Sequence, residues 1–259
     1  SFLVSRLQSD TIFGSFCWAY RNRYGDKKLE DLLESEEPAA VFSNGFAAGF
    51  LPRPVLDPMS SVQRRQIIEK FRNILNHKAG KADKNHASNA DFEIEKALKA
   101  VKKRQFVKKE LLVSLRDGLN EAVLVDRLLE EHLNKTGEYQ AVYEYARARN
   151  IIDRNTGATL DSGGIFTVSE FRYKNPIFDV YALIDESRIA SEDFSLVISD
   201  VFEKSGFGAD ASTGAGSFSV NIEVENQLTV GSEPQNKEHA MSLSNFIPLS
   251  EQIDFDSMK

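Results

Sequence analysis

The chain has 259 residues, of which 41% are hydrophobic and 27% charged. This is the composition of a folded protein with one large domain or two small ones. No apolar run reaches the roughly 18 residues that a membrane-spanning helix needs, and the first residues become polar too soon for a signal peptide. The single cysteine, Cys17, excludes an internal disulfide and cannot by itself anchor a zinc site. These features predict a cytoplasmic protein without membrane contacts.

Charge is distributed unevenly along the chain. The formal net charge is -7 and the sequence pI is about 5.3, which by itself argues against a nucleic-acid-binding protein. The segment 62–109, however, holds fourteen lysines and arginines against five acidic residues. Because exposed charges are screened beyond about 8–10 Å, the local field of this segment decides whether it attracts a polyanion. The acidic remainder suits protein partners better than nucleic acid.

Apolar periodicity predicts mainly helices in the first half of the chain. Ser9-Asp10-Thr11 precedes the first apolar run, so we expect a helix to begin there with a capping residue and to stop at Gly25. The polar segment 80–89 is predicted to be a loop. Further helices with the same apolar spacing are expected at 29–33, 62–75, 93–104 and 121–134. Short extended segments are expected at 41–46 and 50–54, the second at a sheet edge because of its prolines.

The second half of the chain is richer in strand patterns. Strands are predicted at 142–149, 165–173 and 177–184, where residues alternate or are rich in aromatic and β-branched types. A helix at 194–204 precedes the glycine-rich stretch, and alternation at 218–224 and the segment 241–247 predict two more strands. Since regular βαβ alternation is absent, the sequence predicts an α+β fold. The order strand–strand–helix–glycine loop–strand fits half of a ferredoxin-like unit.

The glycine-rich stretch 206–216 is the most informative motif. Its glycines lie at 206, 208, 214 and 216, after a helix and before a strand. A dinucleotide-binding loop runs from strand to helix and needs a third glycine where Ala211 stands, and a P-loop needs a lysine where Ala215 stands. Glycine supplies positive φ and close backbone approach, so the amides, with Ser212 and Thr213, can form a nest for an anion. The alternative is a tight connection without a ligand.

A second cluster surrounds the strand predicted at 142–149. Period-two geometry places Arg147 and Arg149 on the same face as Tyr143 and Tyr145. Arginines interleaved with aromatic residues are typical of surfaces that bind phosphates and stack bases. The alternative is a solvated sheet face held by ion pairs to Asp153 and Glu144. The cluster continues with Asn150, Asp153, Arg154, Asn155 and Thr156.

Evidence for catalysis is thin. The four histidines, at 77, 86, 132 and 239, have no partner at metal-ligand spacing. Cys17 lies on the apolar face of a predicted helix, as a core residue would. The basic run 96–109 has one apolar face formed by Leu98, Val101, Phe106 and Val107, which is typical of a solvated helix. We therefore expect no metal, no cofactor and no enzyme activity.

Four stretches, taken in order, resemble one family. They are Ser9-Asp-Thr-Ile-Phe-Gly-Ser-Phe-Cys-Trp-Ala-Tyr20, Phe50-Leu-Pro-Arg-Pro54, Arg149-Asn-Ile-Ile-Asp-Arg-Asn-Thr-Gly157 with Gly163-Gly-Ile-Phe-Thr-Val168, and the stretch 206–216. Together they are similar to the RAMP-superfamily fourth subunit of the type III-A CRISPR Csm effector complex. The resemblance runs over most of the chain. Each motif alone is weak, and the ordered set is fairly specific.

The resemblance implies a Cas5-like, non-catalytic RNA-binding subunit for antiviral defence. It implies two ferredoxin-like (RRM-like) units, at 1–118 with a basic helical insertion and at 141–259 with the glycine loop, and a thumb-like insertion at 119–140. The implied partners are the 5′ repeat-derived tag of the crRNA, the large polymerase-like signalling subunit and the backbone RAMP subunit. The implied RNA-binding residues are Arg53, Arg147, Arg149, Asn150, Arg154, Gly206, Gly208, Ser212, Thr213, Gly214 and Gly216.

This chain departs from the family pattern in two places. No strand is recognisable before the Ser9 helix, where the family has one. Alanines at 209, 211 and 215 stand where a basic residue would help, so that this loop depends on backbone amides. Two alternatives stay open. One is a RAMP-class crRNA-processing endoribonuclease with His77 or His86 as general acid or base, and the other is a protein-interaction scaffold that binds no RNA.

Overall fold

The computed structural model describes residues 2–3, 6–35, 37–79, 85–134, 142–160, 162–173, 177–208, 216–225 and 241–245. These residues form seven α-helices and nine short strands, so the α+β class is confirmed. The helices are α1 (Ser9–Tyr24), α2 (Asp26–Leu33), α3 (Ser61–Ala79), α4 (Asn85–Lys102), α5 (Lys109–Ser114), α6 (Glu121–Leu133) and α7 (Ser191–Ser199). The strands are β1 (Phe2–Leu3), β2 (Ala40–Phe42), β3 (Phe46–Ala47), β4 (Phe50–Pro52), β5 (Phe106–Lys108), β6 (Val142–Asn150), β7 (Ile165–Tyr173), β8 (Phe178–Asp179) and β9 (Ala182–Ile184).

The chain folds into two compact units. Unit 1 comprises Ser1–Ala48, Gln140–Val224 and Ser242–Lys259, and unit 2 comprises Gly49–Tyr139 and Glu225–Met241. Unit 2 therefore interrupts unit 1 along the chain. The division at 1–118, 119–140 and 141–259 and the two ferredoxin-like units stay predictions. None of the described helices combines the length and the apolar character needed to cross a bilayer.

Antiparallel strands organise unit 1. In the described residues, the largest sheet has the order β1–β7–β6, and separate pairs join β2 to β9 and β3 to β8. The β6–β7 hairpin is regular along its whole length, from Val142 opposite Tyr173 to Asn150 opposite Ile165. Strand β1 pairs with β7, so the expectation of no strand before the Ser9 helix is wrong. Two residues are too short a run to show strand periodicity in a sequence.

Aromatic side chains from distant parts of the chain meet in the core of unit 1. Phe16 of α1, Phe42 of β2 and Phe194 of α7 form a triangle whose ring centroids lie 5.3, 5.7 and 5.9 Å apart. All three are buried, as are Ile12 and Val197 beside them. Such separations are those at which aromatic rings attract one another. The triangle therefore joins α1, β2 and α7 in one core.

Helix α1 begins at Ser9 and ends before Gly25, as predicted, but its cap differs. The residue before the helix, Gln8, makes no side-chain cap. The Ser9 amide instead donates to Oδ1 of Asn44, 2.8 Å away. Asn44 follows β2 and is 35 positions along the chain, so the unpaired amide of the first turn is satisfied by tertiary contact. The sequence places the start of the helix but not its partner.

Three helices form most of unit 2. Helix α4 packs against both α3 and α6, and the core side chains Phe71, Ile94, Leu124 and Leu128 are buried between them. Helix α6 begins as the sequence predicts. Its cap, Asn120, accepts a hydrogen bond from the Val123 amide at 3.0 Å, which is the usual capping contact.

Some predicted elements differ in the structure. Residues 85–89, predicted as a loop, are the first turn of α4, and 80–84 lie outside the described residues. The strand expected at 177–184 is split into β8 and β9, which pair with different strands. The helix expected at 194–204 begins at Ser191 and continues beyond Ser199 as a π-helical segment to Ser205.

The strand predicted at 218–224 is absent from the described residues. Side chains there alternate between half-buried and exposed as far as Val220, so the pattern is real. The backbone, however, pairs with no strand among the described residues. Two of its amides bond to the π-helical segment instead: Phe218 N donates to Phe202 O at 2.9 Å and Val220 N to Glu203 Oε1 at 2.9 Å. Residues 241–245 also contain no strand, and 246–247 lie outside the described range.

Candidate nucleic-acid interface

The β6–β7 hairpin carries the predicted arginine cluster in unit 1. Its register places Tyr145 opposite Glu170, Arg147 opposite Val168 and Arg149 opposite Phe166. Directly opposed residues share a face, so all six lie on one side of the sheet. Tyr145 is 52% exposed and the Arg147 side chain 64%. The predicted face is therefore present for Tyr145, Arg147 and Arg149, with Tyr145 and Arg147 exposed and Arg149 half-buried; the Tyr143 side chain lies outside the described set.

A buried carboxylate lies between the two arginines. Glu170 is 4% exposed, and its Oε1 is 3.3 Å from Nη1 of Arg147 and 3.5 Å from Nη2 of Arg149. The alternative in which Asp153 and Glu144 hold this face named the wrong carboxylates. Glu170 was missed because the register of β7 follows from a 14-residue connection, whose length does not fix a hairpin register. The sequence shows only which residues of β7 share a face with Glu170, and not which residues of β6 lie opposite them.

Arg154 lies in a tight turn of the connection between β6 and β7. The Gly157 amide donates to Asp153 O at 2.8 Å, and the Asn155 amide donates to the Asp153 carboxylate at 2.8 Å. Arg154 itself is exposed and makes no ion pair with any described residue. Asn150, at the end of β6, donates from its side chain to Thr159 Oγ1 at 3.3 Å. The described part of the connection is thus held by internal hydrogen bonds and exposes the Arg154 guanidinium.

The residues that flank the glycine-rich loop, Gly206–Gly208 and Gly216, contact each other and form what we call the loop base. Gly206, Gly208 and Gly216 all have positive φ, of 74°, 102° and 72°. The Phe207 amide donates to Gly216 O at 2.8 Å, and a Cβ on Gly216 would lie 1.9 Å from Phe207 O. Two of these glycines flank the buried Phe207, and the third must approach its backbone closely. The predicted loop residues Ser212, Thr213 and Gly214 lie outside the described residues.

Aromatic side chains pack the loop base against the end of the π-helical segment. Phe202 stacks on Phe207 with centroids 5.7 Å apart and meets Phe218 edge-on at 6.1 Å. Glu203 accepts from Ser199 Oγ at 2.6 Å as well as from the Val220 amide. The residues on both sides of the loop are therefore fixed to one helical turn, in a conformation that side chains at the glycine positions would disfavour.

Arg53 differs from the other predicted RNA-binding residues. It lies in unit 2, where its Nη1 donates to Val101 O at 2.7 Å and its Nη2 pairs with Glu121 at 2.6 Å. Its side chain is 12% exposed and that of Glu121 14%. The guanidinium caps the last turn of α4 and pairs with the first residue of α6, two positions that favour these charges. These contacts give Arg53 a structural role.

Two comparisons of the sequence with known proteins gave no match: no family model matches the chain, and no curated protein does. Among solved structures, the fold is similar to a chain of a Csm1–Csm4 cassette in complex with pppApA, with a TM-score of 0.40 and 14% identity. A second similar structure is a Csm1–Csm4 cassette in complex with cA4, with a TM-score of 0.38 and 16% identity. Each alignment covers 78% of this chain and 64% of the other, less than two thirds of its length. These values are too low to assign a function.

The described residues offer little for acid–base or metal chemistry. They contain no group of three or more histidine, cysteine or carboxylate side chains that could hold a metal ion. His77 is exposed near the end of α3, and the side chain of His86 lies outside the described set. Burial, with the charge of Arg104, lowers the pKa of His132. Burial also raises the pKa of the Cys17 thiol, which makes it a poor nucleophile.

Proposed function

We propose that this chain is a non-catalytic RNA-binding subunit of a type III-A CRISPR Csm effector. In this role unit 1 binds the 5′ repeat-derived tag of the crRNA, and the chain docks the large signalling subunit and the backbone RAMP subunit. The ordered motifs support the family. The solvent-exposed sheet face on which Tyr145, Arg147 and Arg149 lie side by side is the observation that carries the RNA-binding role.

The chemistry of that face suits a single-stranded RNA. Arginine forks bind phosphate oxygens through paired hydrogen bonds, and an exposed tyrosine ring can stack on a base. Gly216 and its neighbours form the base of a second element whose backbone amides are proposed to meet tag phosphates. Both elements belong to unit 1. Arg53 is left out of this RNA-binding set because its side chain is largely shielded from solvent and its guanidinium contacts both Glu121 and the Val101 carbonyl.

Fluorescence anisotropy with labelled RNAs that carry or lack the tag tests the proposal. We expect the full chain to prefer tagged RNA, and its affinity to fall with salt. In R147Q/R154Q the slope of log K against log salt should become less steep by about 1.4, because each lost phosphate contact contributes about 0.7 for single strands. The matched variant R65Q/K27Q removes two exposed cations elsewhere and should behave like the unaltered chain.

Two results would replace the proposal. No RNA binding at any salt would favour a protein-interaction scaffold, and equal binding of tagged and untagged RNA would contradict the tag-binding role. Cleavage of repeat RNA by the purified chain, lost on His77→Ala or His86→Ala replacement, would favour the crRNA-processing endoribonuclease. Purification with and without co-expressed effector subunits shows in addition whether RNA and those subunits travel with the chain.

A further inference from the structure

Helix α4 of unit 2 and the turn after it expose a line of basic side chains to solvent. Its buried side is formed by Ile94, Ala97, Leu98 and Val101. At 3.6 residues per turn, positions 92, 96, 99 and 103 fall within about 60° of one another on the opposite side. They are occupied by Phe92, Lys96, Lys99 and Lys103, all exposed, with Lys103 in the turn that follows the helix.

Several other cations in the described part of unit 2 are neutralised locally. Ion pairs join Arg53 to Glu121, Arg64 to Glu95, Lys70 to Asp126, Arg72 to Asp91, Arg104 to Glu131 and Lys109 to Glu225. Lys96, Lys99 and Lys103 make no ion pair with any described residue, although the exposed Glu93 lies on the same helix. The positive charge of Lys96, Lys99 and Lys103 is therefore not neutralised by ion pairs within the described residues.

An exposed aromatic ring accompanies this charge. Phe92 is 65% exposed, one turn before Lys96. A large apolar side chain on the most solvent-exposed line of an amphipathic helix contributes nothing to the core of unit 2. Beside a row of lysines it has the chemistry of a single-strand-binding surface, in which lysines neutralise phosphates and a ring stacks on a base.

We propose that the line Phe92–Lys96–Lys99–Lys103 binds the backbone of single-stranded RNA without reading its sequence. Lysine ammonium groups spaced about 4.5–6 Å along the helix axis would each displace a counterion from the RNA. Phe92 would add a base-stacking contact that every base can make. The contact is separate from tag recognition in unit 1 and does not depend on it. An acidic protein segment is the competing occupant.

Salt-titrated anisotropy with untagged single-stranded RNA on the full chain tests the lysines. K96Q/K99Q should weaken binding about 25-fold at 0.1 M salt and make the salt slope less steep by about 1.4. The control K27Q/K28Q removes the same charge from exposed positions of α2 in unit 1 and should leave both values unchanged. Equal behaviour of the two doubles would overturn the proposal. So would unchanged RNA affinity in K96Q/K99Q together with weaker binding to a co-expressed effector subunit.

The ring is tested by a second pair of variants. F92S should weaken RNA binding by about fivefold or more without changing the salt slope, since stacking releases no counterion. V62S, which alters another exposed apolar residue of unit 2, is the control. If F92S leaves the RNA affinity unchanged, Phe92 does not stack on a base. Failure of this proposal and failure of the proposed function give different results. If the full chain shows no preference for tagged RNA but K96Q/K99Q still weakens binding of untagged RNA, only the tag-binding role is contradicted.

Discussion

At the residue scale, Glu170 sets the charge that the β6–β7 hairpin offers to RNA. Its buried carboxylate pairs with both Arg147 and Arg149, so it competes with phosphate for the two guanidiniums. We therefore predict that E170Q binds RNA more tightly, by about fivefold at 0.1 M salt for each guanidinium released, with a steeper salt slope. The same anisotropy titration measures both.

The control for this prediction is E144Q. Glu144 lies in β6 of the same hairpin but on the opposite face and is exposed, so this change adds the same charge away from the guanidiniums. Its RNA affinity should change far less than that of E170Q. Thermal unfolding of both variants checks that the hairpin is intact. Weaker RNA binding by a folded E170Q would mean that Glu170 positions the arginines for RNA and does not compete with it.

Arg53, in contrast to Arg147 and Arg149, is expected to stabilise the fold without binding RNA. R53A leaves the Glu121 carboxylate without its ion-pair partner in a nearly buried place. It also removes one of the hydrogen bonds to the Val101 carbonyl, which keeps the bond from the Arg104 amide. The free energy of unfolding should therefore fall by about 2–4 kcal/mol. RNA affinity of the folded variant should be unchanged. Urea unfolding followed by circular dichroism measures the loss. R53M/E121L removes both charges and should recover at least half of it; a double variant as unstable as R53A would contradict this account.

These two residues show what a single sequence reveals at this scale. Arginines and their spacing are visible, and the shared face of Arg147 and Arg149 follows from strand periodicity alone. Which acid they meet is decided by chain pairing over long separations, as with Glu170, 23 positions from Arg147, and Glu121, 68 positions from Arg53. An arginine on an exposed sheet face and an arginine enclosed by its partners look alike in the sequence until those partners are known.

At the element scale, the base of the glycine loop depends on Gly216. Its φ of +72° and the closeness of Phe207 O leave no space for a Cβ. G216A should therefore lower the free energy of unfolding by about 2–4 kcal/mol. Gly157 is a matched control, because its φ is +66° with nothing within 4 Å of an added Cβ. G157A should lose only about 1 kcal/mol, and equal losses in urea unfolding would show that the close contact is unimportant.

Elements were predicted best where one local pattern decides them. Helix α6 has an asparagine cap and an unbroken apolar stripe, and β7 is preceded by turn glycines, so both were found within a residue or two. Errors arose where tertiary contacts decide. The segment after Gly216 alternates like a strand, but two of its amides donate hydrogen bonds to the Phe202 carbonyl and the Glu203 side chain. Residues 85–89 are polar, but they extend the helix that packs on α3 and α6.

At the scale of the whole molecule, stability should depend on pH at both extremes. On the acid side, burial of Asp200 raises its pKa, but hydrogen bonds from Lys204 and Arg23 outweigh burial and leave the pKa below its usual value. Stability from this group is then present above about pH 4 and lost as pH falls further. In urea unfolding between pH 2 and 6, D200N should show a shallower acid decline than the unaltered chain. An identical decline would contradict the assignment.

On the alkaline side, Tyr24 is the corresponding group. Its hydroxyl donates to Asp193 Oδ1 at 2.6 Å and so joins α1 to α7. Burial, that hydrogen bond and the charge of Asp193 raise the pKa of Tyr24 to about 12. Because the unfolded value is about 10, the protonated form stabilises the fold below pH 10, and this contribution is lost as pH rises to about 12.

The loss from Tyr24 should amount to about 1–2 kcal/mol after allowance for solvent screening. Urea unfolding between pH 8 and 12 measures it, and tyrosinate absorbance reports the titration itself. Y24F cannot ionise and should decline less over that range while being less stable at pH 8, where the hydrogen bond to Asp193 is missing. Burial and the charges of Asp193 and Asp31 also raise the pKa of Tyr20, so part of the decline should persist. A Y24F profile parallel to that of the unaltered chain would show that the α1–α7 hydrogen bond does not govern the alkaline limit.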